Sequence, residues 1–242
     1  MRRILRVGLV TLAGFGCAVV TPEPGHAQNM AIVPAPFQEE RHQAFVEEAR
    51  RGGIECLLMG DSITDWWRRA GVEVYEANFG GLRCANFGIA GDRTQGVLWR
   101  MENGELAGYS PKLMMLMIGT NNLSARNRTP NTPAEIAMGI AVIVTKFRTT
   151  FPDAQVLLLG VFPRGADRGD PYRESIGQIN ALIANLDDGE NVRFMDIGDR
   201  FLEPDGSISV EVMADGLHPT ARGYLIWADA VMPTIREMLG VR

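Results

Sequence analysis

Histidine and cysteine are both scarce here, three of each in 242 residues, and no Cys/His cluster stands at metal-ligand spacing. That sets aside zinc-held and disulfide-framework folds. An excess of positive charge is also missing. With 24 Lys and Arg against 29 Asp and Glu, the net charge of −5 argues against nucleic acid or an anionic membrane surface as partner. There is no internal repeat and no Ser/Gly/Pro-rich linker in the body of the chain. Nor is there a Gly-x-Gly-x-x-Gly opening a helix, or a Walker lysine. These last two lacks speak against a module that holds a nucleotide or flavin.

What is present begins with a leader. Arg2, Arg3 and Arg6 precede an apolar run from Val7 to Val20 that is short and Gly-rich for a membrane span, and Gly25-His26-Ala27 places small residues around a cut after Ala27. The pattern predicts a secretory signal peptide over residues 1–27. The protein is then exported, periplasmic or secreted, with no stable membrane span after processing; a retained anchor is the alternative. Removing three arginines and Glu23 moves the net charge from −5 to −7. Residues 28–53 then form a segment and helix ahead of one domain over 54–242. Only Cys56 and Cys84 remain, both in apolar strand-like runs, where buried free thiols are expected and a single bridge is the alternative.

Five short apolar runs recur, each bounded by Gly, Pro, Asp or Asn: 54–59, 82–87, 113–118, 156–161 and 192–197. They lack alternation, as strands buried on both faces do. Helical periodicity occupies 38–51, 94–105, 133–150, 173–186 and 220–239. The alternation predicts an α/β fold, a three-layer α/β/α sandwich around a five-stranded parallel sheet. Ligands of such sheets bind beyond the carboxyl ends of the strands, and three of those ends read Gly60-Asp61-Ser62, Gly88-Ile89-Ala90-Gly91-Asp92 and Gly119-Thr120-Asn121-Asn122. The Met-rich run at 114–117 reads as core.

Ser62 follows the first strand and precedes a helix start, so it is either a helix cap or a nucleophile near free N–H groups. A serine nucleophile requires a base and an acceptor to orient that base. His26 leaves with the leader and His42 lies on a charged helix, so His218 is the candidate base. Asp215, three residues earlier in Asp215-Gly216-Leu217-His218-Pro219, is within reach of its Nδ1 through a tight turn. An oxyanion needs donors aimed at it, and the Ser62 N–H, Gly91 and Asn121 supply suitable types. Ile63 and Leu217, flanking nucleophile and base, are expected to wall a short acyl pocket. Either Trp66 or Trp67, following the candidate nucleophile, is a candidate to line the acyl or the leaving-group pocket. Trp99 is assigned to packing of its helix on the sheet, and Arg164 to a surface salt bridge rather than to substrate.

These blocks, in order, resemble the SGNH or GDSL hydrolase family, named for Ser, Gly, Asn and His. The resemblance implies a flavodoxin-like SGNH hydrolase fold and a serine esterase without cofactor or metal. In it Ser62 is nucleophile, His218 base and Asp215 orienting acid, with Ser62, Gly91 and Asn121 as the oxyanion hole. Residues 86–92, 97–100, 102–106, 119–122 and 159–165 are most similar to the catalytic subunits of intracellular-type platelet-activating-factor acetylhydrolase; Ala90 stands where those subunits usually have glycine. The implied substrate is a small acyl ester. Export shifts the expectation toward acetyl esters of carbohydrates, with acetyl phospholipids, or a non-catalytic ligand-binding module on the same scaffold, as alternatives. A homodimer stays open.

Overall fold

A computed structural model describes residues 28–125 and 130–241. The predicted signal peptide lies outside the described residues. Five parallel strands form one sheet: β1 (Cys56–Gly60), β2 (Cys84–Gly88), β3 (Leu113–Met117), β4 (Gln155–Leu159) and β5 (Val192–Met195). Their order is β2-β1-β3-β4-β5, with every neighbouring pair parallel. The order reverses between β1 and β3, and the crevice beyond their carboxyl ends is where ligands of doubly wound sheets bind.

The missing alternation has a direct cause. Leu57, Met59, Met114, Leu116, Val156 and Leu158 enter one core with Phe45, Val97, Ile140 and Ile179, while Leu58, Met115, Met117, Leu157 and Leu159 enter a second with Trp67, Phe79, Tyr224 and Trp227. Both faces are dry, so inward and outward positions are apolar alike. On the first face lie α1 (Glu39–Arg51), α4 (Thr94–Arg100), α5 (Pro133–Thr150) and α6 (Tyr172–Ile183). On the second lie α2 (Ser62–Asp65), α3 (Val72–Phe79) and α7 (Ala221–Leu239). Phe45 and Ala49 of α1 belong to the same core as the sheet.

Local chemistry explains several boundaries. Thr132 accepts the Glu135 N–H, the Glu135 carboxylate accepts the Thr132 N–H, and Pro133 occupies the first helical position, so α5 begins on a complete capping box. The helix expected over 94–105 instead stops at Arg100 and continues as a wide turn over Met101–Glu105, because Gly104 takes φ +106 there. Helix α3 is not announced by the sequence, since Val72, Val74 and Tyr75 favour strands. It forms where Phe79 packs edge-on against Trp67.

The two body cysteines are disulfide-bonded, which corrects the expectation of free thiols. Cys56 and Cys84 open β1 and β2 and stand directly opposite in register, with Cα atoms 4.2 Å apart. The strand order, invisible in the local pattern, is what brings them together. Among the described residues, no helix is long and apolar enough to cross a membrane.

Candidate active site

Gly60 ends β1 where a side chain has no room: a Cβ there would lie 2.3 Å from the Met117 carbonyl oxygen and 2.2 Å from Thr64 Oγ1. The glycine lets the chain turn sharply from strand into α2. Asp61 caps that helix, its Oδ1 accepting the Ile63 N–H at 3.0 Å. Helix capping thus falls to Asp61 and not to Ser62. Ser62 is spared from capping, and its Oγ lies 2.9 Å from His218 Nε2.

His218 arrives from the loop before α7. Its Nδ1 lies 2.6 Å from Asp215 Oδ2, while Asp215 Oδ1 accepts the N–H groups of His218 (2.8 Å) and Leu217 (3.0 Å). Burial acts to raise the Asp215 carboxyl, but the His218 N–H, the ring and the Leu217 N–H together hold it below the usual value. A carboxylate on Nδ1 selects the tautomer whose Nε2 has a free lone pair, so Ser62 Oγ–H donates to the ring. Such a hydroxyl can lose its proton while it attacks a carbonyl carbon. Trp66 stacks on the imidazole, ring centroids 4.0 Å apart. Tyr224 of α7 donates its hydroxyl to the Ile63 carbonyl at 2.7 Å, bracing α2 from below.

The second and third strand ends are tied into the same unit. The Ile89 N–H donates to Gly60 O (3.1 Å), and the Asn121 side-chain amide donates to Asp92 O (2.9 Å). Gly91 sits between, at φ +86, a conformation that glycine adopts without strain. Asp92 is anchored by Arg100, whose Nε donates to its Oδ2 at 3.0 Å and whose Nη1 reaches both Glu105 oxygens at 2.6 and 2.5 Å. Burial pushes Asp92 up to about 6 against the pull of Arg100 and the Arg93 N–H. His42 completes the network, with Nδ1 at 3.3 Å from Glu105 and Nε2 at 3.1 Å from the Asn103 carbonyl. All four of these ionisable side chains are buried.

Four sequence expectations need revision. Ile63 is 1% exposed and packs in the second core, because one step along a helix turns a side chain about 100° away from Ser62. Leu217 does border the cleft beside His218. Trp99 packs edge-on against His42, centroids 4.8 Å apart. Arg164 makes no ion pair with a described residue; it lines the same cleft as His218, over the ring of Tyr172. His42, set aside as part of a charged helix, is fully buried, and only its period relative to Phe45 and Val46 hinted at that. The Trp66 contact had one signal, its place four residues after Ser62.

Asp61 has a further property. Its Oδ2 is buried with no partner among the described residues, and burial, opposed by the Ile63 N–H, assisted by Asp92 and opposed by Arg164, pushes its carboxyl up to about 7.

The similarities to known proteins run in the same direction. The chain is 37% identical over 185 residues to platelet-activating factor acetylhydrolase IB subunit alpha2 of Rattus norvegicus, covering 76% of this chain and 77% of that one. It is 35% identical over 209 residues to the alpha1 subunit from the same organism, covering 83% and 86%. Among solved structures, a GDSL-like lipase from Bacteroides thetaiotaomicron superposes with a TM-score of 0.66 at 20% identity, over 83% of this chain and 98% of that one. An acetylxylan esterase from Geobacillus stearothermophilus does so with a TM-score of 0.60 at 22% identity, over 79% and 97%. The model of the GDSL-like lipase/acylhydrolase family matches residues 58–226, a span holding Ser62, Gly91, Asn121, Asp215 and His218, and the chain belongs to that family of serine ester hydrolases.

Proposed function

We propose that the enzyme hydrolyses short-chain acyl esters, acetyl esters of carbohydrates first among them, with Ser62 as nucleophile, His218 as general base and Asp215 as the orienting acid. The observation that carries this reading is the unbroken relay of 2.9 Å from Ser62 to His218 and 2.6 Å from His218 to Asp215. In the first step Ser62 Oγ bonds to the carbonyl carbon as its proton passes to Nε2. The Ser62 and Gly91 N–H groups and the Asn121 amide meet the oxyanion, each removing on the order of 3 kcal/mol from the barrier. Collapse expels the alcohol, which takes the proton from His218. Water, deprotonated by the same ring, then attacks the acyl-serine and frees the acid and Ser62. Every group required comes from the chain, so the cycle calls for no cofactor or metal.

Export is part of the proposal. The Cys56–Cys84 bond supports it, since disulfides persist in oxidising compartments, and it agrees with the leader at residues 1–27. The names of the curated relatives favour a second reading, hydrolysis of an acetyl phospholipid.

The test uses the protein without residues 1–27. Ser62→Ala and His218→Ala should abolish p-nitrophenyl acetate turnover with nearly unchanged thermal melts, and Asp215→Asn should lower kcat by at least about 10²-fold. Retained turnover in the first two would refute the assignment. A p-nitrophenyl ester series should favour the shortest chains, and acetylated xylan should outcompete an acetyl phospholipid.

A further inference from the structure

A cleft of about 640 Å³ opens beside His218, and one wall of it is the segment after β4 that carries Arg164, Asp170 and Tyr172. The acyl-transfer relay leaves these three side chains without a task. The Arg164 guanidinium lies 4.2 Å from the centroid of the Tyr172 ring, with Nη1 at 3.3 Å from Thr120 Oγ1. Among the described residues, its Nε and Nη2 donate to none.

The segment is held firmly and is coupled to the base. Arg173 donates from Nε to the Arg164 carbonyl (2.5 Å) and from Nη2 to the Gly165 carbonyl (2.9 Å). The Gly165 N–H donates to Gly216 O at 2.7 Å, joining this wall to the loop of Asp215 and His218. Asp170 Oδ1 accepts the Tyr172 N–H at 2.9 Å, and its Oδ2 lies so close over Gly165 that a Cβ there would come within 2.1 Å. The Tyr172 hydroxyl accepts the Ala125 N–H at 3.3 Å. A fixed donor, a fixed acceptor and an aromatic ring therefore face the space beside the relay.

We infer that Arg164, Asp170 and Tyr172 form the subsite for the alcohol half of the substrate, and that this half is an uncharged polyhydroxylated ring, a sugar. The inference rests on the esterase reading above. A hydroxyl both donates and accepts, so neighbouring sugar hydroxyls are matched by a guanidinium beside a carboxylate. A phosphate only accepts: among the described lining residues it would gain Arg164 but face Asp170 and Asp215, two carboxylates against one guanidinium. A lipid chain also needs an apolar wall, and among the described lining residues Leu217 is the one large aliphatic side chain.

The experiment compares kcat/KM for an acetylated xylo-oligosaccharide, an acetyl glycerophospholipid and p-nitrophenyl acetate in the wild type, Arg164→Gln and Asp170→Asn. Both variants should lower the ratio of sugar ester to p-nitrophenyl acetate about tenfold, mainly through KM, as when hydroxyl partners are removed. Asp170→Asn separates the ligand chemistries by sign. If it improves phospholipid turnover while sugar turnover is unchanged, the subsite takes phosphate and the inference is overturned. A uniform fall on all three substrates would mark a purely structural role and overturn it as well. Absence of p-nitrophenyl acetate turnover in the wild type would instead refute the esterase reading itself; intact turnover with unchanged ratios would refute the subsite alone.

Discussion

Trp66 lies nearly flat on the imidazole of His218, with ring centroids 4.0 Å apart and planes inclined by 23°. Two contacts then orient the imidazole: the carboxylate at Nδ1 and the indole on its face. Trp66→Ala removes the second. The expected result is about a two- to twelvefold fall in kcat for p-nitrophenyl acetate, from the ~0.5–1.5 kcal/mol that an aromatic pair contributes, with most activity kept in Trp66→Phe. Wild-type kcat in a natively melting Trp66→Ala would show that Asp215 alone orients the ring.

Asp61 should leave a mark on the pH dependence of stability. Its folded carboxyl is raised to about 7 from 3.8, so between roughly pH 4 and 7 the folded chain holds a proton that the unfolded chain has released. Stability from this group is therefore complete below pH 4 and is lost as pH rises through 7. For one proton the decline is at most about 1.4 kcal/mol per pH unit. Asp61→Asn keeps an oxygen for the Ile63 N–H and removes the titration, so urea midpoints of the variant should fall less between pH 5 and 8 than those of the wild type. Parallel profiles would place the titration elsewhere.

The disulfide spans 28 residues of sequence, which makes it a strong restraint on the unfolded chain. Cys56→Ala/Cys84→Ala should lose roughly 3 to 4 kcal/mol against the oxidised protein in equilibrium denaturation. Equal midpoints would mean that the bridge does not stabilise the fold. Since β1 delivers Ser62, activity of the variant near its lowered melting temperature should fall with the folded fraction.

Arg100 holds Asp92 and Glu105 together where all three are buried. Arg100→Met strips Asp92 of its counter-charge, leaves Glu105 with the His42 ring alone, and should cost about 3–5 kcal/mol. Arg100→Lys should recover only part of it, because one ammonium cannot reproduce the fork that donates to both acids. A loss below about 1 kcal/mol in denaturation of the methionine variant would show that water or rearrangement satisfies the pair.

Legibility in the sequence followed the range of the interactions. Ser62 after an apolar run, and Asp215 three residues before His218, are local relations within a turn or at a strand end, and residue type with spacing suffices to find them. The five strands were legible for the same reason, since burial on both faces leaves an unbroken apolar run. Ile63 escapes a sequence reading because adjacency says nothing of direction: the first turn of α2 aims Ser62 at His218 and Ile63 into the core. Arg164 cannot be placed from sequence, because its surroundings come from the loop after β3, from α6 and, through Gly165, from the loop before α7.

The sequence by itself determined the alternation of buried strands with amphipathic helices, the leader's pattern, and the residue types at each strand end. Tertiary structure decided what stands beside what. The order β2-β1-β3-β4-β5 pairs Cys56 with Cys84 and places Ser62 at the switch point, within reach of a histidine 156 residues away. The physical reason is that hydrophobic periodicity records how deeply each element is buried, whereas neighbours across a sheet are chosen by chain crossovers and by packing among all the elements at once.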